Sequence, residues 1–131
     1  MKILIAVFVV ILAVFGGGCG VPPAHETANL TEKQFVSELV GATVAWVEPS
    51  GIPNKNVRIA INADGTLVGR GRFDESISGK WRWSGDYWCR TIFGDTASPI
   101  NDCQIVRRDG QDYLFIRNFG NGDAIRYRPV I

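Results

Sequence analysis

SGKWRWSGDYWCRTIF, residues 78–93, holds three of the chain's four tryptophans, one of its three cysteines and two arginines. Apolar and polar residues alternate through its first half, the period of a strand with one buried face. Ile77, Gly79, Trp81 and Trp83 share the core face, and Ser78, Lys80 and Arg82 the other. Ser84-Gly85-Asp86 then breaks the run before a second strand, so the stretch reads as a β-hairpin. Two registers are open. A three-residue loop at Ser84-Gly85-Asp86 pairs Trp83 with Tyr87 and Trp81 with Cys89, whereas a two-residue loop at Gly85-Asp86 pairs Trp83 with Trp88 and Trp81 with Arg90. The three-residue loop is the expectation. It buries Cys89 among the aromatic rings and leaves Lys80, Arg82, Trp88 and Arg90 outside, with Trp88 stacked between the two arginines.

Outward from the hairpin, short β-type runs alternate with turn signals. TVAWVE (43–48) precedes a loop through SGIPNK, then VRIAIN (57–62), an Asp64-Gly65 turn and TLVGRGRF. Beyond the hairpin come a loop to Asn101, CQIVRR, an Asp109-Gly110 turn, DYLFIRN, an Asn121-Gly122 turn and DAIRYRPV. About eight strands at this spacing predict an antiparallel meander closed into a small barrel or a strongly twisted sandwich. No connection after Gly41 holds a helix-length periodic segment, which excludes a parallel α/β arrangement.

One helix precedes the strands. In LTEKQF (30–35), Thr31 is placed as N-cap, Gln34 closes a capping box, and Leu30 reaches Phe35 as a hydrophobic staple. Phe35, Val36, Leu39 and Val40 form one apolar stripe, so the helix is expected to end near Gly41 and to cover an edge or open end of the sheet, with Val36 and Leu39 in the core.

The N-terminal segment points to export. Met1-Lys2, the apolar run Ile3–Phe15 and Gly16-Gly17-Gly18-Cys19 read as a signal segment over residues 1–19, too short for a comfortable membrane span. The Gly18-Cys19 junction is similar to a bacterial lipobox, although Gly16 stands where leucine is usual. That similarity implies acylation of Cys19 and a lipid anchor on the periplasmic side of the outer membrane, with a soluble periplasmic or secreted product as the alternative. Residues 20–29, GVPPAHETAN, read as a flexible tether, and 30–131 as one domain. With Cys19 acylated or removed, Cys89 and Cys103 are the candidates for a disulfide that would persist in an oxidising compartment. The loop they enclose has the length for which chain entropy gives about 3 kcal/mol. A catalytic thiol would want a histidine, and the only one, His25, lies in the tether. The formal charge of +1 falls to zero when Lys2 leaves with the signal segment, so nothing recruits nucleic acid by charge.

The succession LTxxxFxxxLVGATV, NADGTLVGRG, GKW, YWCR, CQIV and DYLFIRN resembles small exported alphaproteobacterial proteins grouped as a domain of unknown function, number 995. Gly79, Trp81, Cys89 and Cys103 carry the likeness, which covers most of the chain after Leu30. It implies a calycin-like, lipocalin-like barrel and no established activity. Gly79-Lys80-Trp81 is similar to the lipocalin Gly-x-Trp, but lies in mid-barrel rather than on the first strand, so lipocalin ligands are not transferred.

Catalytic patterns are sparse. Without a histidine after residue 25 there is no Ser-His-Asp or Cys-His arrangement and no histidine metal site. Asp74, Glu75, Asp95, Asp102, Asp109 and Asp112 mostly fall in expected turns, where aspartate serves the backbone. No metal and no cofactor are expected, and no enzymatic role. The expected function is a non-enzymatic binding or structural module. A small apolar ligand or protein partner would meet an interior lined by Trp46, Trp81, Trp83, Tyr113, Phe115 and Tyr127; the competing expectation is that these rings simply fill a barrel too narrow for a cavity. The alternative is an inhibitor or adaptor of an envelope hydrolase acting through the 92–102 loop.

Overall fold

The computed structural model describes residues 28–93 and 99–130. Residues 1–27, which hold the expected signal segment with Cys19 and most of the expected tether with His25, and Asp95 lie outside the described residues. Eight antiparallel strands close in sequence order into one barrel, β1 (Thr43–Val47), β2 (Pro53–Ile61), β3 (Thr66–Arg70), β4 (Ser76–Ser84), β5 (Tyr87–Phe93), β6 (Ile100–Asp109), β7 (Asp112–Ile116) and β8 (Ala124–Val130). β1 pairs with both β2 and β8, so no strand edge is left open. Helix α1 (Glu32–Leu39) precedes them, and a short turn α2 (Arg117–Gly120) links β7 to β8. α2 is helical only in outline: Asn118 and Phe119 adopt left-handed backbone angles, φ 49° and 55°.

α1 is built as its sequence dictates. The Thr31 hydroxyl accepts from the Gln34 N–H at 3.3 Å, and the Gln34 side chain accepts from the Thr31 N–H at 2.9 Å. Leu30 and Phe35 are both buried in the main core. Phe35 enters the barrel and meets Trp81, Trp83 and Trp88 at ring-centroid separations of 5.6, 5.5 and 5.8 Å. Leu39 is fully buried beside it, but Val36 is 45% exposed, against expectation. Two buried positions one turn apart suffice to seat so short a helix, and Val36 falls to their flank. The tether is shorter than expected, since Asn29 bridges to Arg107 and Leu30 N–H donates to the Val106 carbonyl at 2.7 Å.

The central hairpin corrects the expected register. Ser84 pairs with Tyr87, Trp83 with Trp88 and Trp81 with Arg90, so the loop is the two residues Gly85-Asp86. Gly85 has φ 61° while Asp86 is not left-handed, the arrangement of a type II′ turn, whose backbone twist matches the strands it joins. A three-residue loop would want its left-handed residue last, at Asp86. The shift turns Trp88 inward, where it is 3% exposed, and carries Arg90 in with it. Arg82 takes the opposite face, across from Cys89, so no arginine pair sandwiches Trp88.

Other strand ends differ modestly. β3 stops at Arg70, so Gly71–Phe73, expected as strand, belong with Asp74 and Glu75 to the turn before β4. β7 stops at Ile116, and β6 starts early at Ile100, so Asp102 lies in a strand and not a turn. At Gly79, on the inward face of β4, a Cβ would collide with the Thr91 carbonyl oxygen and press on Ile92; only glycine lets β5 approach so closely.

Phe35→Ala should lower stability by about 3–5 kcal/mol as a core deletion, and Val36→Ala should stay within about 0.5 kcal/mol of the parent. Urea melts check this; equal losses at the two positions would mean that α1 does not present this face to the barrel.

Candidate functional site

The two ends of the barrel are built differently. The β2–β3, β4–β5 and β6–β7 turns share one end with α1, which closes it. Gly41 N–H donates to the Ile61 carbonyl at 2.7 Å, and the Trp81 indole N–H to the Asn62 carbonyl at 2.8 Å. Glu38 of α1 accepts from the Arg108 guanidinium and from the Tyr113 hydroxyl. Arg108 holds the Glu38 carboxyl below its ordinary range, against the opposing effect of burial, and the Tyr113 hydroxyl adds to the effect. Burial and that same carboxylate push Tyr113 up to about 12.

From the plug a run of rings crosses the interior: Trp88 stands edge-on to Phe115 at 5.2 Å, and Phe115 edge-on to Tyr127 at 5.1 Å. All six aromatic residues expected inside belong to the core or pack against it, but they do not form one lining. Trp81 and Trp83 pack on Phe35, Tyr113 serves Glu38, and Phe115 is filling. Trp46 carries the Arg72 guanidinium over its ring at 4.7 Å. Tyr127 alone of the six faces the cavity described next.

At the other end the barrel opens into a cavity of about 590 Å³. Val57, Ile59, Ile77, Ile92 and Ile100 give it apolar walls, and Phe73, 90% exposed on the β3–β4 turn, stands at its rim. Arg90, Arg117 and Tyr127 give it a polar side. Asp102, opposite Arg90 on β6, accepts from the Gln104 amide at 2.7 Å, the Arg117 Nε–H at 3.2 Å and the Asn118 N–H at 3.0 Å. Burial raises the Asp102 pKa, but the amide, the N–H and the guanidinium outweigh it and leave the group below its usual range. Gln104 itself is 1% exposed.

None of Arg90, Asp102, Gln104 or Arg117 was expected in the interior. The alternation of β6 carried the signal for two of them, because Asp102 and Gln104 share the face of Val106. Arg90 was hidden by the register, and Arg117 by the strand end before it.

The Cys89–Cys103 disulfide is present, joining directly paired residues of β5 and β6. It does not sit among the aromatic rings or at the rim. Cys89 and Cys103 lie on the outer face, beside a groove whose other residues include Lys80, Arg82, Thr91 and Asn101. On the outer face too, Asp112 accepts from Arg128 at 2.5 Å and from Arg126 at 3.3 Å, which ties β7 to β8. The Arg128 bond leads in lowering the Asp112 pKa, burial opposes it, and Arg126 assists. Among the described residues, no group of three or more His, Cys, Asp or Glu is placed to hold a metal ion.

No family model, no curated protein and no solved structure matches the chain.

The lowered carboxylates set a pH dependence. Glu38, Asp102 and Asp112 titrate below their unfolded values of about 3.9–4.3. Their stabilisation is therefore complete above that range and is lost as pH falls through the folded values. The melting temperature should hold from pH 7 to about 5 and drop below about pH 4, and Glu38→Gln should flatten that drop. An acid limb unchanged in Glu38→Gln would show that the Glu38–Arg108 pair contributes nothing to it.

Proposed function

We propose that this chain is an exported, lipid-anchored envelope protein whose barrel binds an amphipathic small molecule through its open end and performs no reaction on it. The observation that carries the reading is the contrast between the ends: one is stoppered by Phe35 and its three tryptophans, and the other keeps a cavity with apolar walls and a few convergent polar groups. At about 590 Å³ it falls within the range of roughly 300–1,000 Å³ common for small-molecule sites. The disulfide supports export, since such a bond persists in oxidising compartments. The lipobox-like Gly18-Cys19 supports the anchor, and the likeness to small exported proteins of the unknown-function group agrees with both.

A second reading has an observation of its own. Phe93, 44% exposed, and Ile100, 51% exposed, flank the connection between β5 and β6, which suits an adaptor or hydrolase inhibitor gripping a protein partner there.

Native mass spectrometry of the protein isolated gently from its own host separates the two. A small molecule retained by the folded protein and released on unfolding is the expected result. A protein partner on an empty barrel would favour the second reading, and a bare chain in every preparation would contradict both.

A further inference from the structure

Arg90 is the least satisfied charged group of the interior. Its Nε is closed to solvent and has no hydrogen-bond partner among the described residues. A guanidinium stays charged at any physiological pH, and a buried N–H without an acceptor costs about 1–3 kcal/mol, more when charged. The carboxylate opposite, Asp102, is already engaged by Gln104, Arg117 and Asn118. The Trp88 ring lies 6.0 Å from the guanidinium carbon and the Tyr127 hydroxyl is hydrogen-bonded to Arg90, but Nε is left without an acceptor.

The charges around the cavity do not balance. Arg72, Arg90 and Arg117 line it together with one carboxylate, Glu75, and Asp102 adds a second through its contact with Arg117. Glu75 is turned into its own loop, where it accepts from the Phe73 N–H at 2.7 Å. One positive charge is left over, and Arg90 is the cation with an unused donor inside. Tyr127 lines the same cavity, its hydroxyl hydrogen-bonded to Arg90 and within reach of the Arg117 charge. Because burial keeps that hydroxyl protonated, it retains a proton to donate.

We propose that the ligand is an alkyl carboxylate whose headgroup pairs with Arg90 and takes a hydrogen bond from Tyr127, while its chain lies along Val57, Ile77, Ile92 and Ile100. This rests on the binding reading above and adds the ligand class. One carboxylate cancels the surplus charge, and its two oxygens suit a guanidinium edge. A dianionic phosphate would leave an excess negative charge, a neutral alcohol would leave Arg90 without a counter-ion, and an alkylammonium would add a second uncompensated cation.

Isothermal titration of the full processed chain, stripped of bound lipid, with dodecanoate, dodecanol, dodecyl phosphate and dodecyltrimethylammonium tests this. Dodecanoate should bind at least about tenfold more tightly than each of the others, the worth of one charge-assisted hydrogen bond. Arg90→Met should erase the preference over dodecanol while keeping dodecanol affinity and the near-ultraviolet circular dichroism. Equal affinities for dodecanoate and dodecanol would overturn the carboxylate assignment and leave the binding barrel standing, whereas no binding of any of the four would remove the barrel reading as well. Should Arg90→Met not fold, dodecanoate labelled with carbon-13 at C2, beside its carboxyl, and bound to the unaltered protein decides: nuclear Overhauser contacts from the C2 protons to Arg90 support the assignment, and contacts to Arg72 alone overturn it.

Discussion

The Gly85-Asp86 turn is the constraint on which the rest of the barrel depends. Side chains alternate across a strand, so moving β5 by one residue against β4 exchanges its faces entirely. The two-residue turn sends Trp88, Arg90 and Ile92 inward and Cys89 outward. Trp88 then completes the triad of rings around Phe35, Arg90 supplies the interior cation, and Ile92 packs against Gly79, where no larger residue fits. With the other register the plug would lose one ring and the cavity would lose Arg90. The type II′ turn therefore links the closing of one end to the chemistry of the other.

Within that frame the interior divides into a filled half and an open half. α1 is short, and a helix of this length is marginal alone in water; it is held by Phe35 and Leu39, both wholly buried, and by the Glu38 contacts with Arg108 and Tyr113. The open half takes its shape from the turns. Asp102 is the tie there, joining β6 to the start of the β7–β8 connection through Arg117 and Asn118, so the left-handed residues of α2 are anchored at a buried carboxylate. The same tie occupies the acid that would otherwise neutralise Arg90.

Much of this was legible beforehand for physical reasons. Eight alternating runs between turn residues gave a closed antiparallel barrel, Thr31 and Gln34 gave the helix start, and the odd cysteine count left Cys89 and Cys103 to pair. The errors cluster where local pattern is ambiguous. Ser84-Gly85-Asp86 permits two loops, and burying the cystine favours the wrong one, because a cross-strand disulfide can sit on an outer face beneath long polar side chains. The glycine in the first of the two turn positions was the better guide. Val36 was assigned to the core from a stripe wider than the face a two-turn helix buries. Arg90, Asp102 and Gln104 escaped notice because a buried polar group is justified only by its partners, and those become visible once register fixes who faces whom. Export and acylation belong to residues 1–27, outside the described part of the chain.

The chemistry of the open end requires that Arg90 lie inside the barrel, beside Trp88 and Tyr127, with its Nε–H shielded and unpaired in the free protein. Nuclear magnetic resonance of the nitrogen-15 and carbon-13 labelled chain observes that group directly. The expected result is an Arg90 Nε–Hε signal that exchanges slowly with water and shows nuclear Overhauser contacts to the rings of Trp88 and Tyr127. A fast-exchanging signal with contacts to Arg82 and Lys80 instead would place Arg90 on the outer face and contradict the register, and the cavity chemistry with it.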